Sequence, residues 1–324
     1  MYRQEELKDL VDKAIVNLSL SAEAERLADP VRYILSMGGK RLRPVLALMA
    51  CNLFRDKIDD AVIPAAGLEV FHNFTLVHDD IMDQAPIRRG MATVHIKWNL
   101  SQAILSGDVM AFIANDCFLQ TPAGSLTRVF RAYNRAAVDV CIGQQMDMDF
   151  EKAGGVSHEE YLRMIELKTA SLIAASARIG AIIGDASEKD CDNLFEFGRN
   201  IGLAFQIQDD LLDAYGDSGV FGKTSGGDIV SNKKTFLLVK ALEIASGKQL
   251  QMLQEQLQLK DPDPAAKIKA VMEIYDSLDI RAVTEKLAND YIAKSLEHLE
   301  KADADSKRKR ELTLLANSLM GRNK

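Results

Sequence analysis

Apolar residues recur at helical spacing along most of this chain. In the first segment Leu7, Leu10, Val11, Ala14, Ile15 and Leu18 fall on one side of a 3.6-residue repeat, which predicts an amphipathic helix over 4–28. Asp29-Pro30 then reads as an N-cap and first helical residue, opening a short helix that Gly38-Gly39 ends. Pro44 starts the next helix, through about Phe54. The pattern continues over 60–83, 99–119, 124–150, 157–183, 187–215 and 231–246, with further amphipathic helices from about 263. No strand-like alternation emerges. Lys260-Asp261-Pro262-Asp263-Pro264 reads as an interhelical loop, and no Gly/Ser-rich linker divides the chain. The expectation is a single all-α domain over 1–324.

Composition narrows this reading. Apolar residues make up 47% of 324 residues, enough for a full core, and aromatics only 6%. A net charge of −7 argues against a nucleic-acid partner, so any anionic ligand must be held by local basic clusters. Cys51, Cys117, Cys141 and Cys191 are scattered without a CxxC pair, and read as buried free thiols in a reducing compartment. The charged start, Met1-Tyr2-Arg3-Gln4-Glu5-Glu6, has no signal-peptide core. The most apolar stretch, Ala170 to Gly184, is interrupted by Arg178 and too short to span a bilayer. A soluble cytoplasmic protein is expected.

Against this apolar background two acidic motifs stand out. Phe74-Thr75-Leu76-Val77-His78-Asp79-Asp80-Ile81-Met82-Asp83 places three carboxylates in an otherwise apolar run. On a helix Asp79 and Asp83 share a face, with Asp80 beside them. Like charges at that spacing repel by roughly 0.2–0.5 kcal/mol per pair on an exposed helix, so the pattern points to a bound cation. A near-copy, Phe205-Gln206-Ile207-Gln208-Asp209-Asp210-Leu211-Leu212-Asp213, implies a metal site between facing helices. Oxygen-only donors suit Mg²⁺; zinc lacks its His/Cys set, and the Glu-x-x-His of a di-iron bundle occurs once, at Glu69–His72. His72 is either a phosphate donor or a core histidine, and His78 is a candidate partner for Asp79.

Cations accompany the acidic motifs. Gly38-Gly39-Lys40-Arg41-Leu42-Arg43-Pro44 feeds a helix N-terminus and is either a solvated loop or a phosphate cradle. Arg88-Arg89-Gly90 follows Asp83, where it could neutralise the carboxylates or hold a polyanion. Lys168-Thr169, Lys223 in Phe221-Gly222-Lys223, and Lys233 in Asn232-Lys233-Lys234-Thr235 lie on or near the helices and loops of the second motif. Lys307-Arg308-Lys309-Arg310 reads as a solvated helix face. Mg²⁺, cationic phosphate holders and an apolar helical interior together suit a diphosphate leaving group on an apolar substrate.

These residues resemble the trans-prenyltransferases, the head-to-tail isoprenyl diphosphate synthases. The resemblance runs from about Gly38 to Thr235 and rests on both Asp-rich motifs, Gly-Gly-Lys-x-x-Arg-Pro, Arg-Arg-Gly, Lys-Thr, Phe-Gln-x-x-Asp-Asp and Gly-Lys. It implies an all-α isoprenoid-synthase bundle around a deep central cavity and a homodimer. The implied reaction is condensation of isopentenyl diphosphate with an allylic diphosphate (dimethylallyl, geranyl or farnesyl). By the same resemblance Asp79, Asp80, Asp83, Asp209, Asp210 and Asp213 serve three Mg²⁺ ions, which Mn²⁺ could replace. Arg88, Lys168, Thr169, Gln206, Lys223 and Lys233 grip the allylic diphosphate, and Lys40, Arg43, His72 and Arg89 bind isopentenyl diphosphate. Gln144 and Asp147 match a further family motif.

Bulky residues just before the first Asp-rich motif limit product length in this family. Phe74 with the short motif resembles enzymes that stop at C20, favoured over C15. An ideal helix puts Phe74 about 140° from Asp79, so Thr75 and Phe71 compete with it as the cavity floor. The rivals are a class I terpene cyclase, which generally lacks the second Asp-rich motif, and a non-catalytic partner subunit, which typically loses motif aspartates.

Overall fold

The computed structural model describes residues 1–18, 25–216 and 226–320. Nearly every described segment is helical. The helices are α1 (Gln4–Val16), α2 (Glu25–Ser36), α3 (Leu42–Phe54), α4 (Asp59–Met82), α5 (Val94–Lys97), α6 (Leu100–Leu119) and α7 (Ala123–Lys152). They continue as α8 (His158–Ile165), a π-helical turn (Glu166–Ala170), α9 (Ser171–Ile183) and α10 (Glu188–Tyr215). Further helices span Gly227–Val230, Phe236–Ile244, Gly247–Gln258, Pro264–Ser277, Ile280–Lys301 and Ser306–Met320. One small antiparallel hairpin, β1 (Ile87–Arg88) with β2 (Met91–Ala92), pairs Ile87 with Ala92 and Arg88 with Met91.

Four sequence expectations need correction. The single helix over 4–28 ends at Val16, and Pro30 lies inside α2 instead of opening it. A proline cannot donate to the carbonyl one turn back. The side-chain amide of Gln102, on α6, takes the Arg26 carbonyl that Pro30 leaves free. The helix over 231–246 is broken: Asn232 is left-handed, with φ 57°, and Thr235 caps a new helix by accepting the Leu238 N–H at 3.4 Å. Among the cysteines, Cys51, Cys117 and Cys191 are buried free thiols, but Cys141 lies on an exposed face of α7.

The packing divides into two compact units, each assembled from several stretches of chain. The first comprises Met1–Arg135, Ala175–Phe195 and Glu300–Leu312; the second comprises Ala136–Ala174, Glu196–Leu299 and Thr313–Lys324. In the first, α3 is apolar on nearly all sides and buried from Leu42 through Leu53 except at Arg43. Gly180 on α9 lets the two backbones approach, since a Cβ there would lie 1.9 Å from the Ala47 carbonyl oxygen. Helix α4 lies along α6, with Gly67 against Cys117 and Ala114. In the second unit, apolar clusters gather Tyr161, Ile165, Ala170, Ile207 and Phe236, and separately Leu211, Leu237, Val271, Ile274 and Ile280.

The glycine contact gives a direct check on the packing. Gly180→Ala forces α3 and α9 apart and should cost about 1–3 kcal/mol, read as a lowered melting temperature by circular dichroism.

Candidate active site

In the first unit, α4 carries Asp79 and Asp80, and Asp83 caps its C-terminal end, donating its N–H to the Asp79 carbonyl at 2.9 Å. Helical geometry separates the three carboxylates. Asp83 is exposed and Asp79 half-buried, while Asp80 is only 1% exposed. Arg88 reaches back from β1 to clasp Asp80, its Nε 2.8 Å from both carboxylate oxygens and its Nη2 2.8 Å from Oδ1. Burial, aided by the neighbouring Asp79, raises the Asp80 pKa despite that pairing. The hairpin that delivers Arg88 turns through left-handed Arg89 and Gly90, with φ 51° and 76°. Thr93 anchors it, its hydroxyl donating to the Ala85 carbonyl at 2.8 Å. His78 does not serve Asp79: its Nε2 lies 3.1 Å from the Ile104 carbonyl oxygen, above Gly107 on α6.

The same unit concentrates cations around His72. Burial and the guanidiniums of Arg43, Arg89, Arg88 and Arg41 hold the His72 pKa well below its usual value. Arg43 is itself pulled down to about 10 by burial, opposed by Glu69 and reinforced by Arg89. Its Nε is buried without a hydrogen-bond partner. Arg89 donates to the Gly38 carbonyl, and Gly39 makes room for it: a Cβ there would sit 3.0 Å from its Nη2. Gly38 and Gly39 have φ of 72° and 140°, which glycine adopts most readily. Lys40 is exposed on this loop. Mutually repelling cations and an orphaned buried donor make a site that an anion would relieve.

The second unit carries the other acidic motif on α10. Asp209 is exposed and Asp213 half-buried, its Oδ2 accepting the Asp228 N–H at 2.9 Å, whereas Asp210 is buried. Asp210 accepts from the Tyr161 hydroxyl at 2.5 Å, from Gln206 Nε2 at 2.9 Å and from the Phe236 N–H at 3.4 Å. Burial, with Asp228, pushes its pKa up to about 7 against those bonds. Gln206 Oε1 in turn accepts from the Thr169 hydroxyl at 2.9 Å, and Lys168 pairs with Asp147 at 2.5 Å. Lys168 and Thr169 lie in the π-helical turn, which passes close to glycines on two helices. A Cβ at Gly143 would meet the Lys168 nitrogen at 2.2 Å, and one at Gly202 would meet Ala170 Cα at 2.5 Å. Lys233 lies 3.8 Å from Asp228; Lys223 lies outside the described residues.

The donor chemistry fits a hard cation. Asp79 and Asp83, and separately Asp209 and Asp213, offer oxygen at one-turn spacing. Among the described residues no three His, Cys, Asp or Glu side chains gather into a cage. Mg²⁺ uses one or two carboxylates together with substrate phosphates and water. Upstream on α4, Phe71 is buried edge-on to Tyr133 at 5.3 Å, and Tyr133 stacks on Phe118 at 4.1 Å. Phe74 packs against Phe71 at 5.3 Å and His78 at 4.9 Å, and the Thr75 hydroxyl donates to the His72 carbonyl at 2.7 Å. Sequence reasoning missed Tyr161 and Asp228, which no local pattern marks.

Carboxylate and cation sets of these kinds on helices are what an enzyme that handles a diphosphate would use. The polyprenyl synthetase family model matches residues 24–275. The chain is 40% identical over 236 residues to a geranylgeranyl diphosphate synthase of Methanosarcina mazei, covering 72% of each. It is 34% identical over 313 residues to a geranylfarnesyl diphosphate synthase of Natronomonas pharaonis, covering 91% of this chain and 90% of that one. A crystal structure of a geranylgeranyl pyrophosphate synthase superposes with TM-score 0.95 at 38% identity, covering 100% of both chains. A Corynebacterium glutamicum geranylgeranyl pyrophosphate synthase, crystallised with isoprenyl diphosphate and magnesium, gives TM-score 0.86 at 27% identity, covering 98% of both chains. The chain belongs to the polyprenyl synthetase family. It is a prenyltransferase with the all-α isoprenoid-synthase fold.

The charge balance around His72 is testable without substrate. The folded protein resists protonating His72, whereas the unfolded chain takes up that proton near pH 6.5. The unfolded state therefore binds more protons as the pH falls, so stability from this group is full above pH 6.5 and declines below it. His72→Asn should flatten the loss of melting temperature between about pH 6.5 and 5, measured on metal-free protein.

Proposed function

We propose that this protein condenses isopentenyl diphosphate with allylic diphosphates, in a Mg²⁺-dependent reaction, to an all-trans C20 prenyl diphosphate. The observation that carries this reading is the cation cluster around His72, set on the same helix as the Asp79–Asp83 motif. The names of the geranylgeranyl relatives support C20. Asp79 and Asp83 would hold two Mg²⁺ ions and Asp209, with Asp213 close by, a third; Mn²⁺ could substitute, and the bound metal would supply stabilisation of negative charge on a leaving diphosphate.

The chain's own groups do the rest. Arg88, Lys168, Lys223 and Lys233 grip the allylic diphosphate as its bond to carbon breaks. The Thr169 hydroxyl and Gln206, fixed through Asp210, direct their oxygens to the allylic cation. Lys40, Arg43, Arg89 and His72 hold isopentenyl diphosphate, whose double bond attacks that cation. The released diphosphate takes the proton lost as the new double bond forms, so no side-chain base is required. Gln144 and Asp147 line the allylic site, Asp147 through its pair with Lys168.

The same reading places one catalytic domain over 1–324 in the cytoplasm, in line with four free cysteines. Among the described residues no helix is long and apolar enough to cross a membrane. A second copy is the partner for α6, where Leu105, Phe112 and Leu119 expose an apolar stripe at seven-residue spacing, 57%, 67% and 57% accessible.

Chromatography of the product from labelled isopentenyl diphosphate and farnesyl diphosphate tests the reading. Labelled C20 is expected; cyclic hydrocarbon without label, or no turnover with any allylic primer, overturns it. Asp79→Ala and Asp209→Ala should each lower turnover by about 10²-fold or more, with helical circular dichroism unchanged. Phe74→Ala should shift the product to longer chains on the same chromatogram, whereas an unchanged product moves the floor to Phe71 or to another helix.

A further inference from the structure

Beneath the loop that presents Lys40 and Arg43 lies a buried ionic network that none of the substrate-binding assignments includes. Arg41 has a left-handed backbone, φ 51°, and a side chain only 4% exposed. Its guanidinium is satisfied from three helices. Nε donates to Asp12 on α1 at 2.8 Å, Nη1 to Glu69 on α4 at 2.8 Å, and Nη2 to the Leu35 carbonyl of α2 at 3.0 Å. Asn73 Nδ2 braces Glu69 at 3.2 Å, and Lys8 braces Asp12 at 2.6 Å.

A buried Arg–Glu pair is weak evidence for stability, because desolvation offsets most of its attraction. This one also adds a cation to a region already crowded with Arg43, Arg88 and Arg89. What it does accomplish is geometric. A planar fork held on three sides fixes the backbone at Arg41 in a conformation that non-glycine residues otherwise disfavour. That backbone sets the departure of Lys40 on one side and Arg43 on the other. It also fixes Gly38 and Gly39, against which Arg89 is seated. Glu69, one turn before His72 on α4, favours the charged form of both Arg41 and Arg43.

We infer that Arg41, Glu69 and Asp12 form a positioning network for the isopentenyl diphosphate site, through which α1 controls affinity for that substrate without touching it. The inference rests on the reading that Lys40, Arg43, His72 and Arg89 hold that diphosphate.

The test uses full-length Asp12→Asn, Asp12→Glu and Arg41→Lys. Asp12→Asn keeps the Glu69 pair and should raise KM for isopentenyl diphosphate by about three- to tenfold. KM for the allylic diphosphate and kcat should stay within about twofold. Arg41→Lys, which cannot serve three partners at once, should have the larger effect, and Asp12→Glu should retain affinity near wild type. Calorimetric binding of isopentenyl diphosphate without Mg²⁺ should weaken by the same factors. Unchanged binding in Asp12→Asn, or an equal rise in both KM values, overturns the inference. If Arg41→Lys fails to fold, Asp12→Asn decides alone. If wild type binds isopentenyl diphosphate but does not elongate a primer, the functional reading fails, and the binding comparison still decides this network.

Discussion

A carboxylate removed from water must be paired or hydrogen-bonded, and that requirement organises both acidic motifs. A helix turns about 100° per residue, so adjacent aspartates cannot face the same way. In each motif the middle aspartate points inward and is fully engaged: Asp80 by Arg88, Asp210 by Tyr161, Gln206 and the Phe236 N–H. The first and last aspartates, one turn apart, remain more accessible. The motif is thus two parts in one stretch, a buried anchor and a pair of more accessible carboxylates one turn apart. The anchor also fixes its neighbours. Asp80 seats the arginine hairpin, and Asp210 orients Gln206 and through it Thr169.

Positive charge is divided by the same rule. Of the three cations in the 38–43 loop, Arg41 is consumed by buried carboxylates, Lys40 faces out, and Arg43 keeps a buried donor without a partner. Burial, with the guanidiniums of Arg43, Arg89, Arg88 and Arg41, disfavours the charged form of His72, so the cluster is electrostatically uncomfortable until an anion arrives. A chain with a net charge of −7 can still bind a polyanion because these cations converge locally.

Several backbone irregularities coincide with candidate site residues. Left-handed Arg41 and Arg89 carry the loop and hairpin cations, and the π-helical turn carries Lys168 and Thr169. Such turns insert a residue into a helix and re-aim its side chains. Glycines at 143 and 202 leave room for the turn, so small residues on distant helices contribute to the site by their absence of side chain.

The helical class, the rough course of most helices, the two acidic motifs and the grouping of cations near them were legible from spacing and residue type, because periodic burial and like-charge crowding are local properties. Which aspartate turns inward, why Arg41 differs in role from Lys40 and Arg43, and where His78 points depend on partners far along the chain, such as Glu69, Tyr161 and Ile104. Pro30 sits inside α2, where Gln102 supplies from another helix the donor that the Arg26 carbonyl would otherwise lack, and Cys141 is exposed because α7 turns that face outward. Local pattern carries propensity and charge. Only packing decides which polar group meets which, since burial makes each unmatched group costly and selects the arrangement that satisfies them together.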